Sequence, residues 1–184
     1  VLKYTYLGNW ETREGNANIE ETLLTAYLSR RGYTDKEIRS AIAKFKQAAN
    51  SLGGGLYNAN KEVYTLLRYG VNVQAEVTEK KKMVHLIDWA NPMENDFQIA
   101  EEVTIQGESD RRPDLVVYVN GIALVVIELK RSTVSAHEGI RQNIRNQQDG
   151  YIPRFFTTIQ LLFAGNDTEG LHLSLIHISE PTRL

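Results

Sequence analysis

Two strongly apolar segments joined by Asn120-Gly121 constrain the fold of this chain more than any other feature. Residues 114–120 and 121–130 both have the composition of β-strands, and Asn-Gly is the dipeptide that most strongly favours the two-residue turn of a β-hairpin. The second segment contains six consecutive apolar residues, 122–127, so it has no polar face for water. We therefore expect a hairpin whose second strand is central in a sheet covered on both faces.

The segments around the hairpin alternate between helical and strand patterns. Apolar residues recur at helical spacing in three segments before residue 70, the first capped by Asn18 and the second by Thr34 or Asp35. The other predicted elements are strands over residues 71–77, 83–89, 97–105 and 158–164 and a polar helix over residues 132–148. This order predicts an α/β fold, with a mixed central β-sheet flanked by helices.

Length and composition fit one globular domain. The chain has 184 residues, a formal net charge of −2 and 24% charged residues, which excludes a disordered or fibrous protein. We expect a helical N-terminal portion, residues 1–70, packed on a core formed by residues 71–171. Residues 172–184 do not continue the pattern, and we interpret them as a tail outside the fold, such as a cloning or sequencing scar.

Composition also excludes several classes of function. Cysteine is absent, which excludes disulfides and thiolate metal sites. The longest apolar run is far shorter than the ~20 residues that cross a bilayer, so we expect no membrane partner and a cytoplasmic protein. Because the chain is slightly acidic, a nucleic-acid site would have to be a local basic patch.

Three charged residues lie at the ends of the predicted hairpin. Asp114 starts the first strand, and Glu128 and Lys130 are two positions apart near the end of the second, so they share a face. One interpretation is that the strand simply reaches solvent at Glu128. The other is a hard-cation site, because two carboxylates bind Mg²⁺ and leave positions for water, while a lysine can offset charge on phosphorus. The residues alone leave both interpretations open.

The register of the hairpin provides a test of the cation site. A strict two-residue turn pairs Asp114 with Ile127, which puts Asp114 and Glu128 on opposite faces of the sheet. A shared cation therefore needs one extra residue, as a three-residue turn or a β-bulge, or else a distorted start of the first strand. We expect one of these irregularities.

A resemblance to a known family adds to this interpretation. The segments Arg112-Pro113-Asp114, Glu128-Leu129-Lys130 and Gln147-x-x-x-Tyr151 resemble the nuclease domain of the restriction (R) subunit of type I restriction-modification enzymes, within the PD-(D/E)xK nuclease class. Further similar segments are residues 86–92, 139–143 and 164–167. The similarity covers residues 1–171.

The resemblance implies a restriction-endonuclease-like core and a Mg²⁺-dependent DNA endonuclease. It implies that Asp114 and Glu128 bind Mg²⁺ and that Lys130 assists the water nucleophile. It places Gln147 and Tyr151 on the following helix, near the scissile strand, where they would contact DNA or complete the catalytic site. The other interpretation is a solvated helix face with Tyr151 as a core anchor at the end of the helix. The implied partners are double-stranded DNA and the methyltransferase and specificity subunits of a restriction complex, and ATP would serve a motor domain outside this chain.

Basic residues cluster beside the predicted site. Arg131, Arg141 and Arg145 could follow a phosphate backbone, and the latter two are neighbours at i and i+4 on the predicted helix. By count alone, an ordinary charged helix face explains the same pattern. The family also carries an acidic residue on an early helix, for which Glu20 and Glu21 are the candidates here.

Two other functions remain open at this point. One is a DNA-binding or assembly module that keeps the fold without catalysis, although the presence of Asp114, Glu128 and Lys130 together argues against it. The other is a different nuclease of the same class, acting in repair or in a mobile element. The Gln147 and Tyr151 pair and the long similar surroundings argue against that second alternative.

Overall fold

The computed structural model describes residues 3–74 and 81–174, which form an α/β fold with one six-stranded and one two-stranded sheet. The strands are β1 (Tyr4–Asn9), β2 (Val71–Val73), β3 (Lys82–Val84), β4 (Phe97–Glu101), β5 (Leu115–Val119), β6 (Ile122–Leu129), β7 (Leu161–Asn166) and β8 (Gly170–Ser174). The helices are α1 (Glu21–Arg30), α2 (Asp35–Ala49), α3 (Leu56–Tyr69), α4 (Ala136–Asn146) and the short α5 (Pro153–Phe156). A mixed sheet flanked by helices is the architecture that the sequence predicts.

The predicted hairpin lies at the centre of the large sheet. The strand order is β1-β4-β5-β6-β7-β8, with β1 parallel to β4 and β6 parallel to β7, so β5 and β6 have neighbours on both sides. Asn120 and Gly121 have φ angles of 55° and 81°, the left-handed pair that a tight hairpin turn requires. Gly121 also packs on α1, where a Cβ would lie 2.8 Å from the Glu20 carbonyl oxygen.

Two apolar clusters hold the sheets and helices together. The first joins α1, α2 and α3 to the small sheet and to the turn end of the hairpin, with Leu24, Phe45, Val63 and Ile122 among its buried members. The second covers the large sheet, with Val116, Tyr118, Val126, Phe156 and Leu162 among its buried members. Because both clusters contact β6 or its turn, the hairpin is fixed from both faces.

The N-terminal portion contains the three predicted helices and, in addition, a strand that the sequence pattern does not predict. Thr34 and Glu37 form a reciprocal capping box at the start of α2. Asn18 is not the cap of α1, because its side-chain amide donates to the Arg154 carbonyl oxygen and the Thr157 hydroxyl, and the helix begins three residues later. The expectation that residues 1–70 are helical is wrong for β1, which is an edge strand of the large sheet.

Several element boundaries differ from the predicted ones. β4 ends early because Glu102 has a φ of 48°, a left-handed conformation that interrupts a strand. The helix predicted from residue 132 begins at Ala136, where Ser135 Oγ accepts from the His137 N–H. Of the strand predicted over residues 71–77, the structure shows Val71–Val73, and residues 75–77 lie outside the described part. In the described residues no helix has the length and hydropathy to span a membrane.

The predicted tail begins inside the fold. Residues 172–174 belong to β8, which runs antiparallel to β7 and pairs His172 with Ala164. The prediction that the tail lies outside the fold is therefore wrong for these residues, and residues 175–184 lie outside the described part. The side chains of Leu171 and Leu173 are 56% and 54% exposed, which explains why the pattern did not indicate a core strand.

Candidate active site

The hairpin contains the extra residue that a shared site requires. Next to the turn Tyr118 pairs with Ala123, but the next pair is Val117 with Val125, so Leu124 is an additional residue in β6. This β-bulge shifts the register by one position along the rest of the hairpin. The two predicted carboxylates at the open end of the hairpin therefore fall on the same face.

Asp114 and Glu128 are neighbours at this open end. Asp114 Oδ2 accepts a hydrogen bond of 2.6 Å from the Leu129 N–H, which fixes the aspartate against β6. Besides burial, the charge of Asp114 raises the pKa of Glu128, so the two carboxyl groups interact electrostatically. Asp114 is half-buried, whereas Glu128 is 0% exposed. One carboxylate thus faces the surface and the other lies inside the protein.

The buried carboxyl group of Glu128 is only partly satisfied. Burial, and next the charge of Asp114, raise the pKa of Glu128 to about 8, while Lys130 opposes the shift. Glu128 Oε2 accepts from Gln142, but Oε1 is buried without a hydrogen-bond partner in the described part of the chain. An unpaired buried oxygen is costly, and a bound cation or a retained proton would remove that cost.

Lys130 and Gln142 complete the polar network. Lys130 Nζ lies 3.6 Å from Glu128 Oε2 and donates to Gln142 Oε1 at 2.7 Å. Gln142 Nε2 donates to Glu128 Oε2 at 2.8 Å, so a single amide orients both charged groups. The Lys130 N–H also donates to the Gly165 carbonyl oxygen at 2.8 Å, which fixes the backbone at this position.

Helix α4 lies directly on the site because it carries a glycine at the contact. A Cβ at Gly139 would lie 2.8 Å from the Ala164 Cβ, 3.5 Å from the Glu128 Cβ and 3.6 Å from the Lys130 Cε. The absence of a side chain at Gly139 therefore allows the close approach that brings Gln142, almost one turn later, into contact with β6.

Gln147 and Tyr151 do not lie on the helix that carries Gln142. α4 ends at Asn146, and Gln147 is its C-terminal cap, with Nε2 donating to the Asn143 carbonyl oxygen. Tyr151 lies beyond the helix, and the Arg111 guanidinium covers its ring at 4.3 Å from the centroid. The prediction of their position on the helix is therefore wrong, and the described contacts join Gln142, not Gln147, to the carboxylate and the lysine.

Gln142 could have been found from the sequence through the polarity of α4. The buried face of this helix is unusually polar, because it includes Asn143 and Asn146 as well as Ala136 and Gly139. Polar side chains on the face of a helix that covers a sheet indicate partners in that sheet. For Gln142 the partners are Glu128 and Lys130, the charged residues that follow the apolar run.

The three predicted DNA-contacting arginines differ in their surroundings. Arg131, Arg141 and Arg145 are all exposed. Arg141 forms an ion pair with Glu138 one turn before it on α4, so part of its charge is compensated. Arg131 and Arg145 therefore contribute more uncompensated positive charge beside the site than Arg141 does.

The candidate acidic residues of the first helix lie at the other end of the hairpin. The Glu20 N–H donates to the carbonyl oxygen of Gly121 in the turn, and its carboxylate is held by Arg13. Glu21 pairs with Lys46 of α2. Since seven residues of strand separate the turn from Glu128, roughly 20 Å at ~3.3 Å per residue, these contacts place Glu20 and Glu21 away from the carboxylate pair.

The fold and the site together define a class of protein: an α/β domain whose bulged central hairpin joins two carboxylates and a lysine beneath one helix. The profile of the family described as "Type I restriction enzyme R protein N terminus" matches residues 1–176. The chain belongs to this family, as the sequence motifs indicated.

Named relatives agree with this assignment. The chain is 29% identical over 141 residues to the endonuclease subunit of the type I restriction enzyme SsaAORF53P of Staphylococcus saprophyticus, covering 77% of this chain and 14% of that protein. It is 37% identical over 89 residues to the endonuclease subunit of the type I restriction enzyme HindI of Haemophilus influenzae, covering 46% of this chain and 8% of that protein. The chain therefore spans a small fraction of the length of these relatives.

Proposed function

We propose that this domain is a Mg²⁺-dependent DNA endonuclease that hydrolyses phosphodiester bonds as the cleavage module of a type I restriction enzyme R subunit. The observation that carries the proposal is the Glu128 carboxyl group, wholly buried beside Asp114 with one oxygen unpaired. A buried, half-satisfied carboxylate next to a second carboxylate contributes nothing to stability and is typical of a site that binds a ligand.

The residues present fit magnesium. Mg²⁺ prefers oxygen ligands and is held in proteins by one or two carboxylates while it keeps several waters. Within residues 3–74 and 81–174, no group of three or more acidic or histidine side chains is arranged to hold a metal ion, so Asp114 and Glu128 would be the charged ligands and other ligands would be neutral oxygens. When bound, Mg²⁺ would lower the pKa of a coordinated water and neutralise charge on phosphate oxygens.

The protein side chains have separate tasks in this mechanism. The Leu129 N–H holds one carboxylate oxygen of Asp114, which orients this side chain at the open end of the hairpin. Glu128 would hold a bound cation as the carboxylate, whereas burial and the charge of Asp114 favour its neutral form when no cation is bound. Lys130 places a positive charge beside the two carboxylates, where it can stabilise the negative charge that develops on phosphorus-bound oxygens.

The exposed arginines beside the site support DNA as the substrate, and membership of the type I restriction family supports the proposed partner subunits. Arg131 and Arg145, and Arg141 to a lesser extent, would contact DNA phosphates, which positions a duplex without reading its sequence. We propose that the methyltransferase and specificity subunits of a restriction complex supply target choice. The ATP-driven motor would belong to the part of the relatives that this chain does not span.

Nicking of supercoiled plasmid tests the proposal. We expect nicking in Mg²⁺, none in EDTA, and loss of nicking in Glu128→Gln, which keeps the shape of the side chain but cannot carry the charge. Glu62→Gln on the exposed face of α3 is the matched control and should cleave like the wild type. Equal cleavage by wild type and Glu128→Gln, or Mg²⁺-independent cleavage, would refute the proposal.

A further inference from the structure

The turn between β7 and β8 is an ordered structure next to α4. Asn166 Oδ1 accepts hydrogen bonds from the Thr168 N–H at 2.9 Å and from the Glu169 N–H at 2.6 Å. These bonds close the turn on the side chain that ends β7. The position of the Glu169 carboxylate is thus set by the sheet and not by a free loop.

The same turn forms hydrogen bonds with the first residue of α4 and with the two residues before it. Glu169 Oε2 accepts from the Ala136 N–H at 3.1 Å and from Ser135 Oγ at 3.3 Å. Asn166 Nδ2 donates to the Val134 carbonyl oxygen at 2.7 Å. The Ala136 N–H is one of the amides at a helix start that have no partner within the helix, and a negative charge is favourable there. That hydrogen bond also lowers the pKa of Glu169.

The start of α4 determines where the site side chains meet. Gln142 lies six residues after Ala136, about 9 Å along the helix axis, and its amide contacts both Glu128 and Lys130. Gly139 lies between Ala136 and Gln142 in the helix, at a close contact with Ala164 of β7. A tilt or retreat of the helix start would therefore lengthen both Gln142 hydrogen bonds.

We propose that Glu169 is a positioning residue: its carboxylate holds the N-terminus of α4 on the β7–β8 turn and thereby keeps Gln142 between Glu128 and Lys130. The inference rests on the proposed function for its effect on cleavage, but the position of Gln142 can be measured without catalysis.

The side-chain amide resonance of Gln142 reports this position directly. It can be assigned by nitrogen-15 NMR of the full chain in EDTA, using Gln142→Ala to identify the peak. We expect the resonance to shift towards that of a free glutamine in Glu169→Ala and to stay unchanged in Asp167→Ala, which alters an exposed residue of the same turn. If Glu169→Ala does not fold, Glu169→Gln, which keeps an acceptor without the charge, should show a smaller shift in the same direction.

Cleavage supplies the second measurement. Glu169→Ala should reduce nicking about tenfold, which is the lower end of the range for residues that orient a metal site through another side chain. In a Gln142→Ala background, Glu169→Ala should have little further effect on nicking. An unchanged Gln142 resonance in the folded Glu169 variants, or fully additive effects on cleavage, would overturn the proposal. Absence of cleavage by the wild type would refute the proposed function alone, since the NMR result would still decide the role of Glu169.

Discussion

Asp114 and Glu128 lie side by side because Leu124 is an extra residue in β6. Without this bulge the register near the turn would extend to the open end of the hairpin and place the two carboxyl groups on opposite faces. The bulge thus places two acidic side chains in one environment. The electrostatic coupling between the two groups is the first property to test.

Asp114→Asn should lower the pKa of Glu128 from about 8. The charge of Asp114 raises that pKa, second only to burial, and asparagine keeps an oxygen to accept from the Leu129 N–H while removing the charge. Carbon-13 NMR of the glutamate carboxyl groups in EDTA measures the titration. An unchanged Glu128 titration in this variant would show that the two carboxyl groups do not interact.

Glu128 should make the metal-free protein less stable as the pH rises. Its pKa is raised in the folded state, so between pH ~4.5 and ~8 the folded protein retains a proton that the unfolded chain has lost. The free energy of unfolding therefore falls across that range, by at most about 1.4 kcal/mol per pH unit. Glu128→Gln should lack this decrease, so its advantage over the wild type should grow with pH. Urea unfolding at pH 5, 6.5 and 8 in EDTA measures the difference, and parallel curves for the two proteins would contradict the assignment.

Lys130→Ala should abolish cleavage while the protein stays folded. The ammonium group forms an ion pair with Glu128, and removing one stabilising charge of this kind costs on the order of 100-fold in rate. The side chain is 19% exposed and lies beyond the end of β6, so we expect a melting temperature close to that of the wild type. Lys61→Ala, on the exposed face of α3, is the control for loss of a lysine. Retained cleavage in Lys130→Ala would remove this residue from the mechanism.

Gly139→Ala should destabilise the protein and reduce cleavage together. In an exposed helix this change stabilises by about 1 kcal/mol, but here the new Cβ would lie 2.8 Å from the Ala164 Cβ and push α4 away from the sheet. Overpacking of this kind costs roughly 1–3 kcal/mol. Gly53→Ala, where a Cβ meets nothing within 4 Å, is the matched control. Wild-type stability and nicking in Gly139→Ala would show that the close contact is not required.

The isolated chain should cut DNA without sequence preference. Exposed arginines that contact phosphates carry no information about base sequence. Mapping of nicks on a plasmid at single-nucleotide level should therefore give scattered positions. A small set of recurring sites would show that this domain reads sequence itself.

The sequence predicted the hairpin, the α/β class and an irregularity that brings Asp114 and Glu128 to one face, but not the position of that irregularity. Asn120-Gly121 specifies a turn, whereas a strand that is apolar on both faces carries no alternation from which a bulge could be located. Leu124 therefore looks like its neighbours in the sequence. The orientation of the carboxyl groups depends on pairing between strands, which local patterns do not encode.

The contacts of α4 and the two edge strands were missed for related reasons. Gln142 is recognisable only once the face of α4 that covers β6 is known, and Gln147 is one of several glutamines near it. β1 and β8 carry exposed aromatic or leucine side chains, so neither shows the buried alternation of a core strand. Their strand conformation depends on backbone pairing with β4 and β7.

The pairing of β8 with β7 has a practical consequence for recombinant work. A protein shortened to residue 171 would lose most of β8 and leave residues 162–164 of β7 without their β8 partners, and an open edge of this kind promotes aggregation. β7 also supplies the Gly165 carbonyl oxygen that accepts from the Lys130 N–H. Gly165 keeps its partner Leu171 in such a protein, so we expect the shortening to affect solubility more than the lysine position.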